Sequence, residues 1–361
     1  MEKKLIKEGK AELYEYIDSK ISKDLDVFYN PKMVSNRDIS ILFMKAIENL
    51  NEKRIYDKHL KEIRKTHLPL SASGIRGIRI IKECNKEVYF NDYSKDAHNL
   101  IKENLKLNEI KNNYYIDNLD ANQFFLNYDN YDYVDIDPYG SPNPFLDSIL
   151  KKLRFGYLAV TATDTAPLCG SYINMCKRKY WAKPLYNELM HEVGLRILIR
   201  KVQLIASQYF KGLIPMISYY KDHYFRIIFF CIPTKTVTDK VLKMHSNFKY
   251  ENFEIEKNGS YGPMYFGKLN DKELLKEMIN QIDSNINKDT EKFLNELYSE
   301  IETVGFYQLH KICKKHKIES VPKIDKVMNE LSNDASRTTF TPYGIKTKSN
   351  INEIIDVLKN N

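Results

Sequence analysis

The stretch Tyr-Val-Asp-Ile-Asp-Pro-Tyr-Gly at residues 133–140 predicts a β-strand that ends in a rigid polar turn. An apolar strand that leads directly into Asp-Pro-aromatic is unusual for a purely structural segment. Asp137 is expected to project from the strand end into a crevice, because ligands of open parallel sheets bind at the carboxyl ends of the strands. The stretch therefore predicts the position of a site at the end of this strand.

Four more short apolar runs surround this strand, and turn residues follow each of them: Leu68–Ala72, Val88–Phe90, Tyr114–Ile116 and Tyr157–Ala162. Between the second and third runs, apolar residues recur at helical spacing from Ala97 to Leu105, with Ser94 as the predicted N-cap. Strands that alternate with helices predict right-handed crossovers and a parallel sheet. We therefore expect an α/β fold, a Rossmann-like sheet with helices on both faces.

A long helix and a hairpin are predicted to complete this first domain. The helix covers about Asn187–Phe210, with Arg196, Arg200 and Gln203 on a polar stripe. The two strands of the hairpin follow at Leu213–Tyr220 and Tyr224–Ile232, and only three residues separate them.

A smaller α+β domain is expected after the polar run Thr234–Lys240, which gives domains over 1–236 and 237–361. Within the second domain, Tyr261–Gly267 predicts a turn-rich loop and Glu273–Leu297 predicts a helix. Two more helix faces follow, at Leu309–Cys313 and Ile324–Leu331, and then a hairpin near Arg337–Phe340. Helix, turn, helix and hairpin in this order resemble a winged helix.

Composition and charge narrow the class of protein. The chain has 361 residues, of which 43% are hydrophobic, and its mean hydropathy is −0.51, so a membrane span of about 20 apolar residues is not expected. The N-terminus lacks an apolar signal core, and the five cysteines form no C-x2-C pair, which favours a cytoplasmic protein with reduced thiols and no metal site.

The net charge of +8 is concentrated in two segments. Residues 176–226 hold ten Lys and Arg against three Asp and Glu, and residues 304–348 hold nine against four. Two basic segments on a two-domain chain fit a long anionic ligand that contacts both domains. Solvated surface helices are the alternative explanation.

Three weaker signals follow the first three strands. The turn Leu70–Gly77 is built from small residues, which let a backbone approach a ligand closely, but it is not G-x-G-x-x-G. Asp92 follows the second strand about 20 residues later, where a carboxylate can accept both ribose hydroxyls of an adenosine ligand. Asp120, followed by the small Ala121, could hold an adenine amino group. Helix capping explains either aspartate as well.

The turn after the central strand carries the strongest chemical signal. Asp137 offers a carboxylate, Pro138 leaves its carbonyl free as an acceptor, and Tyr139 offers a flat face for stacking a base. Two acceptors beside a stacking ring suit an exocyclic amine on a planar heterocycle. Such an arrangement would aim the amine nitrogen at an electrophile.

Seven segments spread over nearly the whole chain resemble the archaeal and eukaryotic tRNA guanine-26 N2-dimethyltransferases: Phe28–Asp38, Leu70–Arg79, Asp135–Pro142, Thr161–Gly170, Lys221–Arg226, Gly262–Gly267 and Ser336–Phe340. The resemblance implies a class I S-adenosylmethionine-dependent methyltransferase domain over 1–236. It also implies a tRNA-binding domain over 237–361, with tRNA as the partner and no obligatory protein partner. The product would be N2-methylguanosine and then N2,N2-dimethylguanosine at position 26.

The resemblance also assigns roles to single residues. It places five residues where the family holds the cofactor: Arg37, Arg76, Asp92, Asp120 and Ala121. Asp137 falls at the catalytic aspartate, and Phe28 and Tyr139 fall where aromatic rings flank the target guanine. One departure is Pro69, since the family often has an aspartate at the end of the first strand.

Several points stay open at this level. Asp137 could act as a general base or only as an orienting acceptor. Asp164, His223 and Arg226 could contact the substrate or serve as ordinary polar residues. The alternatives to the predicted activity are N-methylation of another RNA or DNA amino group and an inactive nucleic-acid-binding protein. The missing G-x-G-x-x-G argues against a nicotinamide dehydrogenase.

Overall fold

The computed structural model describes residues 3–16 and 29–361 of the chain. Strands β1 to β17 in this part of the chain are, in order, Lys3–Glu8, Ala11–Tyr16, Arg54–Ile55, Lys58–His59, Lys65–Leu68, Glu87–Asn91, Tyr114–Asp117, Tyr133–Ile136, Gly156–Ala162, Gly212–Lys221, Tyr224–Ile232, His245–Glu251, Glu254–Lys257, Tyr261–Tyr265, Tyr307–Gln308, Ala335–Thr338 and Thr341–Thr347. Helices α1 to α14 are Val34–Asn49, Ile75–Cys84, Lys95–Leu107, Ala121–Asn127, Asn143–Lys152, Thr165–Leu168, Ile173–Tyr180, Met190–Ser207, Lys235–Leu242, Lys272–Asn280, Lys288–Ser299, Leu309–His316, Ile324–Glu330 and Ile351–Lys359.

The centre of the molecule is a seven-stranded sheet in the order β10-β11-β9-β8-β5-β6-β7. The five strands from β9 to β7 are mutually parallel, and β11 is antiparallel to both of its neighbours. The chain runs from β5 outward to β7 and then returns to β8 on the other side of β5. The order of strands therefore reverses between β5 and β8, which is where such sheets bind ligands.

The sheet is buried on both faces, as its apolar strands predict. Every residue of β8, β9 and β11 is buried. Successive side chains enter opposite cores: Tyr133 packs on the side of α1 and α2, and Val134 packs on the side of α4, α5 and α8. The predicted Rossmann-like α/β class is therefore confirmed.

Outside the central sheet, the strands of the described ranges form the two-stranded sheets β1-β2 and β3-β4 and two three-stranded sheets. One sheet has the order β13-β12-β14 and the other has the order β15-β17-β16. Helices α10 and α11 pack on α1, where Thr290 Oγ1 donates to Asp38 Oδ2 at 2.8 Å. The order α12, α13, β16, β17 is the helix, helix and hairpin order expected from the sequence, and the winged-helix interpretation of it stays a prediction. No helix in the described ranges is long and apolar enough to cross a bilayer.

Several predicted boundaries are wrong. The first strand is Lys65–Leu68, so the run Leu68–Ala72 forms mostly the loop after the strand rather than the strand itself. The polar run Thr234–Lys240 is largely helix α9, for which the Thr234 hydroxyl accepts a hydrogen bond from the Val237 amide as an N-cap.

Three corrections concern the second half of the chain. Tyr261–Gly267 contains strand β14 instead of being only a loop. Glu273–Leu297 is two helices rather than one, because the chain turns at residues 281–287 and Asn287 caps α11. Arg196, predicted on a polar stripe, is buried and donates to the carbonyls of Tyr265 and Gly267 at 3.1 and 2.9 Å.

Candidate active site

A cavity of about 470 Å³ opens at the carboxyl ends of β5 and β8, where the strand order reverses. Its walls come from the segment before α1, the β5–α2 loop, the turn after β8, the end of β9 and the β10–β11 turn. Four of the predicted site residues lie in the lining: Arg37, Arg76, Asp137 and Tyr139. The volume lies in the range of small-molecule sites, which span roughly 300–1,000 Å³.

Asp137 lies directly after β8, and its carboxylate pairs with Arg76. Arg76 is in the first turn of α2, after Gly74 with φ +79° has turned the chain into the helix. The guanidinium also donates to Ser40 Oγ at 2.7 Å and to Asn36 Oδ1 at 2.8 Å. Arg76 Nη2 donates to Oδ2 of Asp137, while Oδ1 receives no hydrogen bond from the residues that the structure describes. That oxygen is available to a ligand amine.

A second ion pair lies beneath the first. Asp135 lies on β8, two residues before Asp137, and the Arg76 guanidinium contacts both carboxylates, so the two side chains lie on the same side of the sheet. Arg226 on β11 is fully buried and donates to Asp135 Oδ1 at 2.7 Å and Oδ2 at 2.6 Å. Burial raises the pKa of Asp135, but the guanidinium groups of Arg226 and Arg76 outweigh that effect and hold the pKa below its usual value.

The turn after Asp137 is fixed to the end of β9. The Gly140 amide donates to Thr163 Oγ1 at 2.7 Å, and the Thr163 amide donates to the Gly140 carbonyl at 2.9 Å. Gly140 has φ +101°, a backbone conformation that favours glycine. Tyr139 is 64% exposed at the mouth of the cavity. Its ring is therefore presented where a planar ligand could stack on it.

Asp164, one of the residues whose role the sequence left open, lies two residues beyond β9 and lines the cavity. It accepts hydrogen bonds from Tyr180 Oη at 2.6 Å and Lys179 Nζ at 3.1 Å. His223, in the turn between β10 and β11, also lines the cavity. Arg226 does not, since it lies in the core as described above.

Arg37 enters the cavity lining from α1 and is held by the N-terminal hairpin. Glu8 on β1 accepts from Arg37 Nε at 2.7 Å and Nη2 at 2.5 Å, and from Arg79 Nη1 at 3.0 Å. Burial raises the pKa of Glu8, but the two guanidinium groups lower it overall to about 2. Glu8 thus stays charged and fixes the direction of the Arg37 side chain.

The other predicted cofactor residues lie at the neighbouring strand ends, outside the cavity lining. Asp92 follows β6 and accepts from the amides of Ala72 at 2.8 Å and Ser94 at 3.0 Å, and burial raises its pKa. Asp120 caps α4 by accepting from the Asn122 amide at 2.9 Å, and Ala121 begins that helix. Asp120 therefore makes the capping contact that the sequence left open as an alternative, whereas Asp92 joins the β5–α2 loop to the residue that caps α3, Ser94.

One amide joins the three loops that follow β5, β6 and β7. Asn91 Nδ2 donates to the carbonyls of Pro69 at 2.9 Å and Leu119 at 3.0 Å, and its Oδ1 accepts from the Leu119 amide at 3.0 Å. The loops that carry Asp92 and Asp120 are thereby held beside the cavity. Phe28, predicted to flank the target base, lies outside the described residues.

Sequence reasoning missed four residues that shape the site: Glu8, Asn36, Ser40 and Asn91. It also named Asp135 and Arg226 without pairing them. A signal for the pair was present, since a single arginine in the apolar run of β11 and an aspartate inside the apolar strand β8 each need an opposite charge when buried. The four missed residues carry no comparable signal, because polar residues of their types are common on protein surfaces.

The strand order, the acidic side chain at the β8 end and the cavity at the switch point define a class I methyltransferase. The family model described as N2,N2-dimethylguanosine tRNA methyltransferase matches residues 7–359. The chain belongs to this family, which confirms the predicted resemblance and enzyme class.

Individual relatives align with nearly the whole chain. A tRNA (guanine(26)-N(2)/guanine(27)-N(2))-dimethyltransferase of Aquifex aeolicus is 37% identical over 97% of this chain and 94% of its own length. A tRNA (guanine(26)-N(2))-dimethyltransferase of Pyrococcus furiosus is 35% identical over 99% and 98%. The solved structure of Trm1 from Pyrococcus horikoshii with S-adenosyl-L-methionine is 33% identical, covers 98% of this chain and 99% of that one, and superposes with a TM-score of 0.86.

Proposed function

We propose that this protein transfers methyl groups from S-adenosyl-L-methionine to the exocyclic N2 of guanosine 26 in tRNA, giving N2-methylguanosine and then N2,N2-dimethylguanosine. The observation that carries the proposal is the placement of Asp137. Its carboxylate is anchored through Oδ2 by Arg76, and Oδ1 remains available beside an exposed aromatic ring. This arrangement suits a planar base with an amino group, and the family membership selects tRNA.

The cofactor fits the residues around the cavity. Arg37 offers a fixed guanidinium for a carboxylate, and the loop Ser71–Ser73 offers small side chains and a close backbone approach. Asp92, Asp120 and Ala121 would hold the adenosine part at the adjoining strand ends. When bound, S-adenosyl-L-methionine supplies an electrophilic methyl group on a sulfonium.

Asp137 and Pro138 orient the nucleophile. The N2 lone pair of guanine is delocalised into the ring, so the amine reacts only when it is well aligned. One N–H donates to Asp137 Oδ1 and the other to the Pro138 carbonyl, which accepts no hydrogen bond from the described residues. As the new C–N bond forms, positive charge grows on N2, and the Asp137 carboxylate stabilises that charge and is placed to accept the proton.

The target guanosine must leave the tRNA stack to reach this pocket. Tyr139, exposed at the mouth, offers one stacking surface. By resemblance to the family, Phe28 would supply the second ring. Asp164 and His223 line the same cavity and are placed to contact the edge of the base. After the first transfer, one N–H remains, and it can still donate to Asp137.

Residues 237–361 would help to hold the tRNA, with the segment from α12 to β17 as a winged-helix-like part. The boundary at residues 236 and 237 remains part of this proposal. Five buried free cysteines in the described chain and a tRNA substrate support a location in the cytoplasm.

Nucleoside analysis of tRNA incubated with the protein and labelled S-adenosyl-L-methionine tests the proposal. We expect label in N2-methylguanosine early and in N2,N2-dimethylguanosine late, and both are lost when position 26 is adenosine. Label that persists at guanosine 27 in that substituted tRNA would extend the activity to the neighbouring site, which the name of the Aquifex relative includes. No label in any tRNA would favour an inactive nucleic-acid-binding protein.

A further inference from the structure

The segment between β9 and α8 is uniformly basic. From Thr165 to Asn187 the chain contains four lysines and arginines and no aspartate or glutamate. It forms α6, α7 and the loop that leads to α8. A run of 23 residues of one sign beside an active-site cavity indicates a surface that attracts an anion.

The same segment also exposes large apolar side chains. Tyr172 is 59% exposed, Trp181 47% and Tyr186 70%, while α7 itself buries Cys176 and Tyr180. Gly170 packs against the backbone of Tyr186, which brings the two ends of the segment together. We call the six exposed residues Tyr172, Ile173, Lys177, Arg178, Trp181 and Tyr186 the α7 surface. It holds four of the fourteen exposed large apolar side chains of the described chain, so the clustering is not random scatter.

Helix α7 is rigidly connected to the cavity. Lys179 and Tyr180 both donate to Asp164 in the cavity lining, and Asn143 Nδ2 donates to the Lys179 carbonyl at 2.9 Å. The hydroxyls of Ser141 and Tyr180 are 3.1 Å apart. A ligand that rests on α7 is therefore positioned relative to the atoms that surround the reacting base.

The positive charges of the α7 surface, and of Arg200 and Lys201 on the adjoining helix α8, are not neutralised within the described chain. Lys177 and Arg178 are exposed and form no ion pair there, and no carboxylate lies within ion-pair distance of Arg200 or Lys201. Lys201 Nζ lies 2.9 Å from the centroid of the Trp181 ring, and Arg200 Nη1 donates to the Trp181 carbonyl at 3.3 Å. Burial and the charge of Arg200 lower the pKa of Lys201 to about 8. A nearby polyanion would stabilise all four cations.

We infer that the α7 surface binds the tRNA strand next to the extruded guanosine, an inference that rests on the proposed function. Lys177 and Arg178 contact backbone phosphates, and Tyr172 and Tyr186 stack on bases of that strand. Unstacked nucleotides are held by this combination of cations and aromatic rings. The core of a protein–protein interface is depleted in lysine, so a protein partner fits this surface less well.

The test compares two double variants that remove the same charge. Lys177→Ala with Arg178→Ala changes the α7 surface, and Lys102→Ala with Lys106→Ala changes exposed lysines in the later part of α3. Binding of tRNA is measured at several salt concentrations without turnover. The α7 variant should weaken binding about tenfold and reduce the slope of log K against log salt by about 1.5, since each phosphate contact contributes about 0.7–0.9. The α3 variant should change neither, and cofactor affinity should stay the same in both.

A stacking variant provides a second arm. Tyr172→Ala should weaken tRNA binding about fivefold or more, and Tyr172→Phe should restore it, because every aromatic ring offers a stacking face. Equal tRNA affinities in the α7 and α3 variants, with normal thermal melting, would overturn the inference. Failure of the wild-type protein to methylate tRNA would count against the proposed function instead, since affinity is measured independently of activity.

Discussion

Arg76 lies between two carboxylates, pairing with Asp137 at the cavity and lying 3.3 Å from Asp135 beneath it. Arg226 neutralises Asp135 from the other side at 2.6 Å. The four side chains form a row of alternating charge that runs from the buried β11 to the cavity. Arg76 contacts a carboxylate on each side, and Arg226 holds the deeper of the two. The Asp137 carboxylate is therefore held in one orientation.

Arg76→Met should therefore slow methyl transfer although the aspartate is retained. Without its anchor, the Asp137 carboxylate gains rotamers that do not face the base, and we expect the single-turnover rate to fall about 100-fold, within the range for a misplaced catalytic group. The rate is measured at saturating cofactor, whose affinity is determined in the same variant by calorimetry. Arg76→Lys should recover part of the rate, and a Met variant within twofold of the wild type would contradict this positioning.

Glu8→Gln tests whether the N-terminal hairpin fixes Arg37. Loss of the carboxylate leaves two buried guanidinium groups without their shared anion, so the free energy of unfolding should fall by about 3 kcal/mol. The Kd for the cofactor should rise as Arg37 loses its fixed direction. Isothermal titration and denaturant unfolding measure the two effects.

The stabilising effect of Glu8 should also depend on pH. The pKa of Glu8 is about 2 in the folded protein and 4.5 as its ordinary value, so its stabilising effect is present above pH 4.5 and is lost as the pH falls towards 2. The stability difference between the wild type and Glu8→Gln should shrink over that window. A difference that is constant from pH 6 to pH 3 would show that Glu8 does not carry the effect.

Protonation of His67 should reduce the stability of the fold in a second pH range, which begins at higher pH than that of Glu8. Its ring is fully buried, stacks on Tyr89 with 4.3 Å between centroids, and finds no hydrogen-bond partner in the described chain. Burial, with a smaller contribution from Lys65, lowers its pKa from 6.5 to about 3. The neutral ring is compatible with folding, so stability is present above pH 6.5 and falls by an order of 4 kcal/mol as the pH drops towards 3.

His67→Phe should remove this part of the acid sensitivity, because phenylalanine keeps the aromatic stacking and cannot take up a proton. Chemical unfolding of the wild type and the variant between pH 7 and pH 4 measures the difference. Parallel curves for the two proteins would contradict the assignment.

Much of the fold could be predicted from the sequence because its signals are local. Strand β8 and helix α3 with its Ser94 cap follow from short apolar patterns and a capping side chain. The break between α10 and α11 was missed because apolar periodicity continues across it, although Asn287 is a good N-cap residue. The Asn287 amide donates to Asp38 Oδ2 on α1 at 3.1 Å, a tertiary contact at the start of α11 that no local pattern reveals.

Site residues could be predicted from the sequence only where a polar side chain closely follows an apolar strand. Asp137 and Asp164 follow apolar strands, and both lie in the cavity lining. The partner of Asp135 is 91 residues away on β11, and no local pattern connects the two. For the same reason the predicted basic segment 176–226 overstates the positive surface, since Arg196 and Arg226 in it are buried in ion pairs.

Methyl transfer by Asp137→Asn tests the central claim most directly. The substitution keeps the size of the side chain and removes its charge, so the amine loses the acceptor that aligns it and stabilises its developing charge. With cofactor and tRNA both bound, we predict that the single-turnover rate of N2-methylguanosine formation falls about 1,000-fold, at the upper end for the loss of one preorganised group, while the Kd for S-adenosyl-L-methionine stays within about threefold of the wild type. A variant that methylates guanosine 26 within tenfold of the wild-type rate would contradict the account.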